Sequence, residues 1–446
     1  MTERSIDRRP PVEAALVLHP LRANAPALRD PDARLAEAVG LAEALDLSVK
    51  DGRVVPLRAP VPATLFGRGK VEELATVVRG LEIDVVVVDD QLSPIQQRNL
   101  EKAWEVKVVD RTGMILEIFG RRARTREGRL QVELARLAYE RSRLVRTWTH
   151  LERQRGGLGK TGGPGERQLE LDRRQIAERI TKMKKELEEV RRTRALHREA
   201  RARTPFPTLA LVGYTNAGKS TLFNRLTEAK VEARDMLFAT LDPTVRTLKL
   251  PNGRPAALSD TVGFISDLPH ELVEAFRATL EEVQEADVIL HVRDVSSPDT
   301  EAQKADVETV LEELGAGPDS GRAIVEVWNK IDLLPEDDRT GLLSRAVRRG
   351  EGSTGAPAVA VSAVTGEGCA HLLQFLTELV DQGAPIEACL EAGEGEALAW
   401  LYRHGRVVDR RDEDDGSVRL SVRLDSQALG RFERLFPDAR LKEAAE

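Results

Sequence analysis

Thr208-Leu-Ala-Leu-Val-Gly213-Tyr214-Thr215-Asn216-Ala217-Gly218-Lys219-Ser220-Thr221-Leu-Phe-Asn-Arg-Leu226 is the stretch that decides the fold. Thr208–Val212 is an apolar strand signal. It runs into Gly-x-x-x-x-Gly-Lys-Ser and then into the helix-like Thr221–Leu226, which is the phosphate-loop pattern in its strand–loop–helix context. Glycines there let backbone N–H groups curl around an anion at a helix N-terminus. Lys219 would neutralise β- and γ-phosphates, and the Ser220 hydroxyl would ligate Mg²⁺. Residues 208–385 continue as alternating strand and helix signals, so an α/β domain is expected.

Two further elements follow in order. Ala257-Leu-Ser-Asp260-Thr261-Val262-Gly263 is a strand ending in Asp-x-x-Gly. Asp260 would hold Mg²⁺ through water, and the Gly263 amide can sense a γ-phosphate. Between it and the phosphate loop lies Leu237-Phe238-Ala239-Thr240-Leu241-Asp242-Pro243. A threonine such as Thr240 can complete the Mg²⁺ shell only while γ-phosphate is present, which makes an order–disorder switch. Lys219, Thr240 and Gly263 are therefore the catalytic candidates, with Ser220 and Thr240 the metal ligands.

Val325-Glu-Val-Trp-Asn329-Lys330-Ile331-Asp332 delivers Asn-Lys-x-Asp to the carboxyl end of a strand, where α/β sheets bind ligands. The Asp332 carboxylate can accept from guanine N1–H and N2–H₂, donors that adenine lacks. Such pairing discriminates by roughly 10⁴-fold or more. Asn329, Lys330 and Ile331 would brace the base, and the backbone of Ser362-Ala363-Val364 can reach guanine O6. The four elements together point to a GTP-binding domain. Two details shape its chemistry. Phe264 stands where many regulatory GTPases have a water-orienting glutamine, so slow intrinsic hydrolysis that awaits a partner is expected. Asn216 can either help hold a monovalent cation such as K⁺ or simply brace its loop.

Outward from this domain, residues 12–110 read as a small α/β domain with a partly parallel sheet. Its strands are expected at Val12–Leu18, Asp84–Asp89 and Val106–Asp110, and its helices at Pro31–Leu45 and Ser93–Trp104, with Ser93 as N-cap. In residues 127–200, Leu130, Leu134, Leu137, Leu144 and Trp148, then Leu169, Ile176, Ile180, Met183, Leu187 and Val190, follow 3/4 spacing. Two helices paired as an antiparallel hairpin are expected. Their connection, Gln154–Glu166, is rich in glycine and holds Pro164, so no helix is expected there. Arg153, Arg155 and Lys160, with Gly156, Gly157, Gly162 and Gly163, could approach a phosphate backbone closely. A flexible connector is the plainer alternative, although connectors between helices usually span only about 2–8 residues. Residues 386–446 suggest a hairpin with strands near 406–410 and 417–424, and no chemistry. The expected divisions are 1–126 (α/β), 127–204 (basic hairpin, tip 154–166), 205–385 (GTPase domain) and 386–446 (α+β).

Composition agrees with a globular chain. Of 446 residues, 41% are hydrophobic, which is enough for real cores and excludes wholesale disorder. The net charge of −7 is uneven: residues 111–204 carry 26 Lys and Arg against 13 Asp and Glu, which leaves −20 for the remainder. A basic middle fits either a polyanion partner or a solvated helical face. No run approaches the roughly 18 apolar residues of a membrane span. Two cysteines, Cys369 and Cys389, make no disulfide framework, and with no apolar leader at the start a cytoplasmic monomer is expected.

The chain resembles the HflX family of ribosome-associated GTPases along most of its length. The resemblance rests on Leu92-Ser-Pro-Ile-Gln-Gln-Arg-Asn-Leu-Glu101, Asp110-Arg-Thr112, Thr125–Leu134, the Gly156–Glu170 segment, Gly213–Asn224, Leu237–Thr244 and Asp260–Pro269. Lys160-Thr161-Gly162 departs from the arginine expected before Gly-Pro-Gly, and residues 386–446 match loosely. The resemblance implies a GTP hydrolase that binds the large (50S) ribosomal subunit and its rRNA near the peptidyl-transferase centre. It also implies splitting of stalled or idle ribosomes under stress, and hydrolysis stimulated by the ribosome. Some family members are reported to bind ATP through the N-terminal domain, but residues 1–150 contain no phosphate loop.

Overall fold

The structure is a computed structural model, and it describes residues 12–22, 29–154, 164–202, 206–228, 237–238, 240–241, 243–266, 280–350, 356–380, 385–391, 393–413, 416–424, 426–437 and 439–443. The first unit is β1 (Ala14–Arg22), α1 (Pro31–Glu43), β2 (Ser48–Leu57), α2 (Arg68–Gly80), β3 (Val85–Val88), α3 (Pro94–Trp104), β4 (Lys107–Asp110) and α4 (Arg111–Arg122). Its sheet has the order β2-β1-β3-β4, and every pairing is parallel. Val85–Val88 are at most 2% exposed, as expected of a strand with helices on both faces. Ser93 caps α3 in a reciprocal capping box with Gln96.

Three of these elements carry weak sequence signals. β2 is interrupted by Lys50-Asp-Gly-Arg53 and sits at the sheet edge, α2 follows a loop of little pattern, and α4 begins directly where β4 ends. β1 differs from its expected span: it begins at Ala14 and continues through Pro20. Beyond Leu18 it has β2 alone as a neighbour, an edge environment that tolerates proline.

Two long helices follow, α5 (Arg126–Gln154) and α6 (Pro164–Ala202). They pack together, with Ile180 and Leu187 of α6 buried and Ile176, Met183 and Val190 half-buried. On α5 the buried apolar side chains among the described residues are Val132, Ala135 and Leu137, while Leu130 and Leu134 are half-exposed, because the first turns of α5 also face α4. Pro164–Glu166 are helical, contrary to expectation: Pro164 opens α6 at the first helical position, where its missing N–H has no bond to lose. Arg155, Gly156, Gly157, Lys160, Gly162 and Gly163 lie outside the described residues. Arg153 lies on α5.

The GTPase-like unit contains β5 (Thr208–Gly213), α7 (Lys219–Thr227), β6 (Thr244–Lys249), β7 (Pro255–Asp260), α8 (Glu281–Gln284), β8 (Val288–Asp294), α9 (Thr300–Glu313), β9 (Ala323–Asn329), α10 (Glu336–Gly350), β10 (Ala358–Ala360) and α11 (Cys369–Val380). The sheet order is β10-β9-β8-β5-β7-β6, parallel except for the antiparallel edge strand β6. The carboxyl ends of β5, β7, β8 and β9 thus open on one edge, where the signature loops emerge. The last unit is an antiparallel sheet of order β12-β13-β11-β14, built from β11 (Pro385–Leu390), β12 (Arg406–Asp412), β13 (Val418–Arg423) and β14 (Arg440–Glu443). Two helices, α12 (Gly395–His404) and α13 (Ser426–Leu435), accompany it. The β12–β13 hairpin matches the pair of strands read from the sequence. Among the described residues no helix is long and apolar enough to cross a membrane.

Candidate active site

β5 delivers the phosphate loop to the edge of the sheet. Gly218, at φ 91°, turns the chain into α7; a Cβ there would lie 2.2 Å from the Asn329 amide nitrogen. Only glycine combines that backbone with that approach. Lys219 is 7% exposed and donates to the carbonyls of Gly213 (3.0 Å) and Tyr214 (2.8 Å). Burial lowers its pKa to about 8, against the raising influence of Asp260. Burial likewise raises the Asp260 carboxyl above the usual range.

Three oxygen-bearing side chains converge beside Lys219. The Ser220 hydroxyl lies 2.7 Å from Asp260 Oδ2 and 2.8 Å from the Thr240 hydroxyl, and Thr240 donates to the same Oδ2 at 3.0 Å. Asp260 Oδ1 is buried with no hydrogen-bond partner among the described residues. Two hydroxyls and an under-satisfied carboxylate are the hard donors that suit Mg²⁺. Among the described residues no cluster of three or more His, Cys, Asp or Glu could cage a metal.

The segment after Asp260 is stitched to the phosphate loop. Phe264 N–H donates to the Gly213 carbonyl (3.1 Å), and Thr215 N–H donates to the Phe264 carbonyl (2.6 Å). Gly263 therefore sits against the loop: a Cβ on it would lie 2.9 Å from Thr215 Cα and 3.0 Å from Lys219 Nζ. Thr261 donates to the Leu211 carbonyl at 2.6 Å, and Val262 is buried. The Phe264 ring is 2% exposed, inside the apolar core that also holds Phe119 and Phe238.

At the other end, Asn329 joins three loops. Its amide donates to the Ala217 carbonyl (2.8 Å), and its oxygen accepts from Ala363 N–H (3.0 Å). Lys330 is left-handed (φ 67°) and pairs with Asp294 at 2.8 Å. Ile331 is fully buried, whereas Asp332 is exposed at the mouth. Ser362 accepts from Thr365 N–H at 3.1 Å, Arg225 holds the Ala363 carbonyl at 3.1 Å, and Val364 is exposed. Asn216 is left-handed (φ 58°) at the exposed crest of the phosphate loop, and Thr221 continues α7. Leu241 is buried; Ala239 and Asp242 lie outside the described residues.

Sequence reasoning passed over the wall that the N-terminal unit supplies. Tyr214 donates to Glu37 of α1 (2.5 Å) and accepts from Ser266 N–H (2.9 Å). Arg111, the first residue of α4, donates to the Ser266 carbonyl (3.1 and 3.3 Å) and to Glu37 (2.5 Å), and pairs with Asp89. Burial alone would raise the Asp89 carboxyl; the Arg111 guanidinium, the His19 hydrogen bond and Arg34 together outweigh it and hold the pKa below the usual range. Phe119 of α4 meets Phe238 edge-on at 4.6 Å. No local signal marks Glu37. Arg111 stands in the Asp110-Arg-Thr112 run that carried the resemblance, but nothing there disclosed its partners.

Comparison with known proteins matches four segments of the chain. Residues 32–120 match a family profile described as GTP-binding GTPase N-terminal, 122–201 its middle region, 208–330 "50S ribosome-binding GTPase" and 347–445 the HflX C-terminal domain. GTPase HflX of Magnetococcus marinus is 53% identical over 400 residues, spanning 90% of each chain. GTPase HflX of Escherichia coli is 46% identical over 368 residues, 82% of this chain and 84% of its own. A GTP-binding protein from Sulfolobus solfataricus, solved in complex with GDP, is 24% identical over 83% of this chain and 99% of its own, with a TM-score of 0.44. With one relative 53% identical over 90% of its length and another 46% identical over 82%, the chain belongs to the HflX family of GTPases.

Proposed function

We propose that this protein is a Mg²⁺-dependent GTP hydrolase that binds the large ribosomal subunit and uses GTP binding and hydrolysis to split stalled or idle ribosomes under stress. The observation that carries the switch is the convergence of Ser220, Thr240 and Asp260 within 3.0 Å. One of these groups belongs to the phosphate loop, one to the segment around Thr240 and one to the end of β7. Ser220 and Thr240 would hold Mg²⁺, which when bound neutralises charge on the terminal phosphates. Lys219, now spent on two loop carbonyls, would turn to the phosphates, where a buried ammonium is worth more than in water. Gly263 would offer its N–H to the γ-phosphate, and Asn216 would help hold K⁺. Phe264 places no polar group at the attacking water, so turnover would wait for the ribosome. Arg153, Arg155 and Lys160 would contact rRNA near the peptidyl-transferase centre.

The ribosomal target is supported by the match of residues 208–330 to a family described by 50S binding, and by the surplus of 13 positive charges in residues 111–204. Sedimentation of intact ribosomes with protein and GTP is the test. Conversion to subunits supports splitting. Co-sedimentation with the large subunit alone would make it an assembly factor. RNA binding that is equal with GDP, GTP or no nucleotide would make it a scaffold.

A further inference from the structure

Asp110 and Arg111 are neighbours at the junction of β4 and α4, 2% and 3% exposed, and they hold different parts of the protein. Arg111 grips Ser266, three residues beyond Gly263, through the carbonyl and the hydroxyl (3.0 Å). It is itself fixed by Asp89 and by Glu37, and Glu37 holds Tyr214 of the phosphate loop. Asp110 grips the helical hairpin. Its carboxylate accepts from the Tyr139 hydroxyl (2.8 Å) and from Arg143 (3.2 Å), both on α5. It also accepts from Gly113 N–H (2.8 Å), which caps α4, and from Leu92 N–H (3.3 Å). Arg143 continues to Gln97 of α3.

This chain of bonds is buried or part-buried and made largely of charge-assisted contacts, which have discrete arrangements. A displacement of Gly263 toward a γ-phosphate must either carry Ser266 and Arg111 with it or break their bonds. If Arg111 moves, the first turn of α4 moves, and Asp110 caps that turn while holding α5. We infer that the Asp110–Arg111 pair is the joint of this protein: two positioning residues through which the segment after Gly263 sets the orientation of α5. The inference rests on the proposed function, since it gives nucleotide state a route to the ribosome-contacting hairpin.

The test uses full-length protein and purified large subunits. Affinity is measured with GDP and with a non-hydrolysable GTP analogue, and the ratio of the two Kd values reads the coupling. Tyr139→Phe combined with Arg143→Gln cuts the hairpin side without touching a nucleotide loop; Arg111→Lys cuts the other side, because an ammonium cannot bridge Asp89, Glu37 and Ser266 together. Both variants should bring the ratio about 3- to 30-fold closer to one, the span over which coupling networks respond to substitution. GTP affinity and ribosome-free hydrolysis of the Tyr139/Arg143 variant should stay at the wild-type level. A purely structural role would weaken both Kd values equally and preserve the ratio, which would overturn the inference. If Arg111→Lys does not fold, the Tyr139/Arg143 pair decides alone. A wild-type ratio near one would sink the proposed function along with the joint, whereas a large wild-type ratio untouched by the variants sinks only the joint.

Discussion

Restoring a glutamine at position 264, where many regulatory GTPases have one, should fail to speed hydrolysis and should destabilise the protein. The reason is the direction of the side chain. Gly263 faces Lys219, and the next residue of the extended segment faces the opposite way, into the core with Phe119 and Phe238. Its backbone cannot swivel to correct this, because N–H and carbonyl are both bonded to the phosphate loop. Phe264→Gln forfeits the burial of a phenyl ring, about 1.5–3 kcal/mol. It also buries an amide without partners, about 1–3 kcal/mol. The sum of about 2.5–6 kcal/mol corresponds to a Tm lower by roughly 5–24 °C, at about 2–4 °C per kcal/mol for a unit of this size. Calorimetry of wild type and variant reads the stability, and single-turnover hydrolysis with protein in excess reads the chemistry. A variant that kept its Tm within a few degrees and cleaved GTP tenfold faster would refute the reasoning.

Other perturbations separate other parts of the site. Asn329→Ala leaves the Ala217 carbonyl and the Ala363 N–H without their buried partner, at about 1–3 kcal/mol each, so nucleotide affinity and Tm should both fall in fluorescent-GDP titration and calorimetry. Asp332 is exposed, so Asp332→Asn should leave the unfolding free energy within about 0.5 kcal/mol of wild type while shifting preference away from guanine; intact GTP affinity would remove this residue from base recognition. Hydrolysis should be faster in K⁺ than in Na⁺, and equal rates would reduce Asn216 to a loop brace. His291 is held neutral, its pKa lowered to about 3 by burial and by Arg293. An unfolded chain binds its proton below about pH 6.5, so stability should fall between there and pH 3, by at most about 1.4 kcal/mol per pH unit. His291→Leu should flatten that limb in urea titrations at pH 7 and pH 5, and identical slopes would show that His291 does not control it.

Much of the site was legible because its chemistry is local. A phosphate loop, an Asp-x-x-Gly and an Asn-Lys-x-Asp are short runs whose residue types are dictated by anion, metal and base, and each follows an apolar strand that marks its place on the sheet edge. The two long helices were equally plain, since a 3/4 apolar rhythm needs no partner to be recognised. Strand β2 and helix α4 were not, because their residues are chosen by what they pack against rather than by their own period. Pro164 was read as a breaker because composition alone does not reveal whether a proline stands before a helix or within it.

From its residues alone the chain declared a GTP-binding α/β unit and a basic hairpin, since these depend on spacing along the backbone, and its quoted motifs carried a resemblance to the family that the comparisons then showed. Only the folded arrangement decided that Phe264 is a core residue, that Glu37 holds the phosphate loop, and that Asp110 and Arg111 face the hairpin and Ser266 respectively. Ser266 is 155 positions from Arg111 in the chain yet within 3.0 Å in space. Contacts between residues so far apart are set by how whole elements pack, and no local pattern of residue types encodes them.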